Sequence, residues 1–262
     1  MFIVAYLTFF STKNVQEGDL FSMNNNENRP RKSDKDVFLA DKLKNANFNT
    51  GFYQIPEIND VDVEKPVGLV LWSNRNRCED KPHHGLIFYE YDCKFDDKDG
   101  IYNILKYGSD DEIGQLIDEL KEFAFVVCPD YSVYGNFPNY KQIDALSKSR
   151  EVGYILSTYG IKIIVNYRAT YEWTYELALT GICYNGIVSI GTLGCLRDNE
   201  SRALLTNSVK ELVKYIKPRI IIVYGYAPDD IFKIAIDSGA EIWQFDSEIS
   251  KVFGGRDYGH EI

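Results

Sequence analysis

Three aspartates, Asp92, Asp130 and Asp246, each stand just after a short apolar run. Carboxylates gathered from separate segments are what a hard divalent cation such as Mg²⁺ takes as ligands. Arg168 and Arg197 follow two further runs of the same kind, and a guanidinium fork can hold phosphate or carboxylate at two points. Asn166, Thr192, Gly194 and Tyr224 occupy equivalent places and could line a substrate pocket with an amide, a hydroxyl, a bare backbone and a phenol. As a set these residues suit metal-dependent chemistry on nucleotide or nucleic-acid phosphate. Asp130 is the leading catalytic candidate, because it lies between an apolar strand and a loop rich in polar and aromatic residues. The plainer reading of each aspartate is a turn or helix-capping residue.

Other chemistries are excluded or weak. Cys195 follows a strand, but a nucleophilic thiol needs a base beside it, and there is no histidine between residues 85 and 259. His83 and His84 are adjacent and would point to opposite faces of a strand. Gly191-Thr192-Leu193-Gly194 is a glycine-bearing turn before a helix, where backbone N–H groups can meet a phosphate. It is neither G-x-G-x-x-G nor a Walker A loop. No G-x-S-x-G elbow and no H-E-x-x-H pair occurs. Arg150 falls inside a helix and reads first as a solvated helix arginine, with a reach back toward the exit loops as the alternative.

The elements that must position these groups form a regular series. Strands are expected at Val67–Trp72, Leu86–Tyr91, Phe123–Cys128, Ile161–Val165, Gly186–Gly191, Ile220–Tyr224 and Ile242–Phe245. Helices are expected over 111–123, about 139–159, 171–180, about 199–216 and 229–238; the first places Ile113, Leu116, Ile117 and Leu120 on one face. The runs Val126–Cys128, Ile163–Val165, Ile187–Ile190 and Ile220–Tyr224 are apolar without alternation, as parallel strands covered on both faces are. Gly160, Gly181, Pro218 and Gly239 punctuate the helix ends. The series predicts an α/β fold with a largely parallel sheet from consecutive βα units. A partial or distorted (β/α) barrel is favoured over an open doubly wound sheet, because the units run on with no obvious reversal point. In either fold the candidates gather at the carboxyl ends of the strands.

Bulk composition fits a folded, acidic protein. Of 262 residues, 45% are hydrophobic and 26% charged, which leaves enough apolar surface for a substantial core. The net charge of −10 opposes non-specific binding of duplex nucleic acid. Nineteen tyrosines and 15 phenylalanines suit a recessed groove, and equally suit an AT-rich coding sequence. Five cysteines without C-x-x-C spacing suggest free thiols in a reducing compartment, hence a cytoplasmic location.

Residues 2–10 are too few to span a bilayer and lack the flanks of a signal peptide, so no membrane partner is expected. Residues 1–36 read as a flexible leader, with Met23 a candidate true start, because Gln16–Asp19 can be encoded by a purine-rich run resembling a ribosome-binding site. A single domain is expected over 37–254, with 37–65 wrapping around it outside the core, and a polar tail over 255–262.

The run Pro129-Asp130-Tyr131-Ser132-x-Tyr134, followed by Pro138 and Arg150, resembles a family of phage, plasmid and mobile-element proteins known only as a domain of unknown function. Gly160, Asn166-x-Arg168, Gly181, Gly191-Thr192-x-Gly194-Cys195, Pro218 and Tyr224-Gly225 continue the resemblance, which covers roughly residues 52–254, and Phe88–Phe95 matches its aromatic, Asp-rich strand. Val165 stands where that family often has proline, and Leu193 where it often has histidine. Some members are labelled as associated with rolling-circle replication, but the H-x-H metal motif of a nicking initiator is missing from this chain. The resemblance implies a mobile-element protein. Beside the phosphate enzyme stand two alternatives: an accessory or anti-defence protein that binds a host protein, and a binder that sequesters a small nucleotide.

Overall fold

A computed structural model describes residues 40–134 and 136–248; the expected leader, the Met23 start and the 255–262 tail lie outside the described residues. The chain divides into two units, Met1–Lys44 and Asn45–Ile262. Of the first, the described part is a helical turn at Ala40–Leu43.

In the second unit the apolar runs form seven strands: β1 (Gly68–Leu71), β2 (His84–Ile87), β3 (Phe125–Val127), β4 (Ile163–Asn166), β5 (Ile187–Gly191), β6 (Ile220–Tyr224) and β7 (Glu241–Phe245). They pair in sequence order, and every neighbouring pair is parallel. The helices between them are α1 (Ile101–Tyr107), α2 (Asp110–Lys121), α3 (Asn139–Thr158), α4 (Tyr175–Leu179), α5 (Asn199–Ile216) and α6 (Asp229–Asp237). The expected series is present, with α1 added between β2 and β3. No helix among the described residues is long and apolar enough to cross a membrane.

Local chemistry sets the helix boundaries. Ser109 and Glu112 form a reciprocal capping box at the start of α2, and hydrogen bonds from Ser109 hold the Glu112 carboxyl below its usual pKa. Asp198 accepts from the Ser201 N–H at 2.7 Å, so the amino end of α5 already has its anion. Lys217 ends α5 in the left-handed region at φ 46°, directly before Pro218.

The sheet curls into a nearly closed barrel with one unsealed seam, between β1 and β7. Strands lie about 4.8 Å apart, so β2 and β6 would stand roughly 19 Å apart in a flat sheet. Instead Tyr89, just past β2, stacks on Tyr224 of β6 with ring centroids 5.6 Å apart. The seam is spanned at the carboxyl end by Asn74, which donates to Glu248 at 2.7 Å. Leu69, Ile87, Phe125, Val127, Ile164, Ile187, Ile222 and Trp243 fill the interior. Alternate residues, including Val188, Ile190, Ile221 and Val223, face outward under Leu205, Val209 and Leu212 of α5 and Phe232 of α6. Burial of each such side chain contributes about 1.5–3 kcal/mol.

The segment before β1 corrects an expectation. Residues 37–65 were expected to stay outside the core, yet Val61 and Val63 pack into the barrel interior and Ile58 is only 1% exposed. Arg219 pins this plug across the amino end of the barrel. It pairs with Asp60 and donates to the carbonyls of Val61 at 2.8 Å and Asn185 at 3.1 Å. Asp60 in turn accepts from the Ile187 N–H at 3.1 Å.

Candidate functional site

Parallel strands that turn into helices at one end leave their exit loops at that end, and the candidate residues gather there. Asp130 follows β3, Asn166 ends β4 and Arg168 follows it. Asp130 is 8% exposed, and both of its oxygens are engaged. Oδ1 accepts from Asn166 Nδ2 at 2.7 Å and from Arg168 Nε at 3.0 Å, while Oδ2 accepts from Arg168 Nη2. The contact is side-on, through Nε and Nη2, and the Nη1 edge of the guanidinium is turned toward Cys195 Sγ at 3.8 Å. That contact also brings the Gly194–Cys195 loop to the same rim as Asp130 and Arg168.

Below this pair the network continues into the barrel. Tyr89 donates to Asn166 Oδ1 at 3.0 Å, and its hydroxyl lies 2.7 Å from Ser189 Oγ. Burial, reinforced by the Asp130 charge, pushes the Tyr89 phenol far above its usual pKa, so it stays a protonated donor. For Arg168, burial works against the charged form, but the Asp130 carboxylate outweighs it and holds the guanidinium above its usual value.

Arg150 was expected to be a solvated helix arginine, and the structure corrects this. It is 1% exposed, between α3 and the sheet, and donates to the carbonyls of Asn166 and Ala178 at 3.0 Å each. Its Nε has no partner among the described residues. Burial lowers its pKa, and the neighbouring Cys128 opposes that shift. Nothing in the sequence marked Arg150 as buried; a charged letter in a helix is ordinarily solvated.

The remaining candidates divide between the network and its surroundings. Tyr224 is 2% exposed and stacks on Tyr89. Thr192, 3% exposed, ties the β5 exit loop to the Tyr224 carbonyl through its N–H at 3.0 Å and its hydroxyl at 3.3 Å. Gly194 takes φ +76°, and its carbonyl accepts from Arg197 Nε at 3.1 Å, so Arg197 folds back on its own loop. Asp92 is turned to Ser132, accepting from its N–H at 3.1 Å and its hydroxyl at 2.7 Å. Asp246 is exposed. Among the described residues no group of three or more His, Cys, Asp or Glu is placed to hold a metal ion. A small cleft lined by Ile58, Asp60, Ile182 and Cys183 lies at the amino end of β4 and β5, away from this chemistry.

Residues 48–246 match a family model described as a domain of unknown function, DUF4417. The chain belongs to the DUF4417 family. The resemblance read from the Pro129–Ser132 motif is thereby borne out. The Gene 1 protein of Mycobacterium phage L5 is 23% identical over 175 residues, covering 66% of this chain and 71% of that protein. The Gene 1 protein of Mycobacterium phage D29 is 22% identical over 111 residues, covering 42% of this chain and 41% of that protein. No solved structure matches.

In this DUF4417 chain each residue of the Pro-Asp-Tyr-Ser motif has a physical task. The Pro129 carbonyl accepts from Ser149 Oγ at 2.6 Å, fastening the loop to α3. Asp130 holds Arg168, and buried Tyr131 donates to Asp96 at 3.2 Å. Ser132 takes Asp92. The motif folds one exit loop against two others. Sequence reasoning missed Tyr89 and Ser189, although Ser189 is the one polar letter in the run Ile187–Gly191.

Proposed function

We propose that the carboxyl rim of the barrel binds a phosphate-bearing ligand, with a small nucleotide the best-fitting class. One observation carries this. Arg150 donates to the Asn166 carbonyl, Arg168 is joined to the Asn166 side chain through Asp130, and among the described residues Asp130 is the one carboxylate hydrogen-bonded to either arginine. A net positive charge at a largely dry site is costly unless an anion neutralises it. Arg168 is pinned along one edge and 23% exposed, so its Nη1 edge is oriented for that anion in advance.

In this reading Asp130 positions Arg168, since both of its oxygens already accept hydrogen bonds, from Asn166 and from two nitrogens of Arg168. Metal-dependent turnover through Asp92, Asp130 and Asp246 has less support, as Asp92 is spent on Ser132. A host-protein partner has one observation in its favour: Tyr134 and Phe137 form an exposed ring pair, 4.9 Å apart, in an uncharged stretch of the β3 exit loop.

Thermal unfolding with inorganic phosphate, ribose 5-phosphate, nucleoside monophosphates or MgCl₂ tests the reading. A phosphate compound at a hundredfold excess over its Kd is expected to raise Tm by about 5–10 °C. Arg168→Gln, which can still donate to Asp130, is expected to abolish the shift while remaining folded by circular dichroism. A shift that survives Arg168→Gln contradicts the proposal. A shift with MgCl₂ alone, lost in Asp130→Ala, would restore the metal reading.

A further inference from the structure

The wall of the mouth opposite Arg168 is acidic. Glu90, after β2, accepts from the Ser73 N–H at 2.9 Å through Oε1. Glu248, after β7, accepts from Asn74 at 2.7 Å, also through Oε1. The backbone N–H of Glu248 donates to the Tyr224 hydroxyl at 3.2 Å; burial raises the pKa of that phenol, this hydrogen bond lowers it, and the Glu248 and Glu90 charges raise it. Two stacked rings, 5.6 Å between centroids, therefore separate a cationic wall from an anionic one: Tyr89 reaches Asn166 on one side, and Tyr224 lies beside Glu90 and Glu248 on the other.

A ligand that is anionic throughout does not fit such a mouth. A ligand with an anion at one end and N–H donors at the other does. We propose that the site selects a nucleoside monophosphate whose base turns N–H groups to Glu90 and Glu248 while its phosphate meets Arg168. This rests on the phosphate-site reading above and names the ligand within it. Carboxylates accept well from base amino groups. Guanine offers two adjacent N–H donors to one carboxylate, whereas uracil presents a single N–H between two carbonyls. The ring faces of Tyr89 and Tyr224 are buried and supply the partition; the polar contacts supply the choice.

Calorimetric titration of the full chain with GMP, UMP and ribose 5-phosphate tests this, together with Glu90→Gln/Glu248→Gln, in which each amide oxygen can keep its local hydrogen bond. GMP is expected to bind about tenfold more tightly than UMP or ribose 5-phosphate. In the double variant that preference is expected to fall to about twofold, with ribose 5-phosphate affinity unchanged. Equal binding of all three compounds, or a GMP preference that survives the double variant, would overturn the base-selection proposal and leave the phosphate site standing. No binding by any of the three would remove both.

Discussion

Asp130→Ala is expected to lower the free energy of unfolding by about 3 kcal/mol, the low end for breaking a largely buried ion pair. The substitution deprives three donor contacts of their acceptor at once, two from Arg168 and one from Asn166. Arg168 is 23% exposed, so water recovers part of the loss, which places the cost near 3 and not 5 kcal/mol. Urea unfolding reads this as a lower midpoint at constant slope. Arg168→Met in the same background should cost much less than it does alone, with about 2 kcal/mol of coupling, because the orphaned charge is then gone. A loss below about 1 kcal/mol for Asp130→Ala would show that the network is compensated by solvent.

Gly191→Ala is expected to be almost as damaging, by a route the network does not suggest at first. A Cβ at this last residue of β5 would stand 2.5 and 2.8 Å from two ring carbons of Tyr89. Tyr89 has nowhere to retreat: its ring stacks on Tyr224 and its hydroxyl is fixed by Asn166 and Ser189. Overpacking of this kind costs about 2–3 kcal/mol. The same displacement moves Asn166, so phosphate-ligand affinity should fall about tenfold, as misplacement of a preorganised group does. Gly114→Ala is the control. It is exposed on α2 with open space around it, and should stabilise by about 0.5–1 kcal/mol. A Gly191→Ala protein as stable as the parent, with ligand binding intact, would mean that Tyr89 is not locked.

The strand series and its parallel pairing were legible because β3, β4 and β5 are mostly apolar without alternation, the signature of strands covered on both faces, and all three are buried at every position. The rim followed from topology, and the structure brings Asp130, Asn166, Arg168 and Tyr224 together there. Helix α1 was not legible, since it has only seven residues and buries two, Ile101 and Leu105, after an acidic loop. The burial of Arg150 was not legible either. It depends on carbonyls of Asn166 and Ala178, which are distant in sequence and invisible to periodicity. Glu90 and Glu248 escaped notice because their meeting at Tyr224 requires the sheet to close, bringing the exit loops of β2 and β7 together.

That closure is incomplete, and the gap gives the barrel a direction of yielding. β1 and β7 each have a ladder on one side only, and both are partly exposed where β3, β4 and β5 are fully buried. Fluctuations that part the barrel should start between these two margins, sparing the β4–β5–β6 staves. Amide protons of β1 and β7 are then expected to exchange with deuterium well before those of β5; uniform exchange across all seven would contradict it. Glu248 bridges this gap, so a ligand grasped by Glu248 and Arg168 together would work as a hoop, slowing exchange on both sides of the opening.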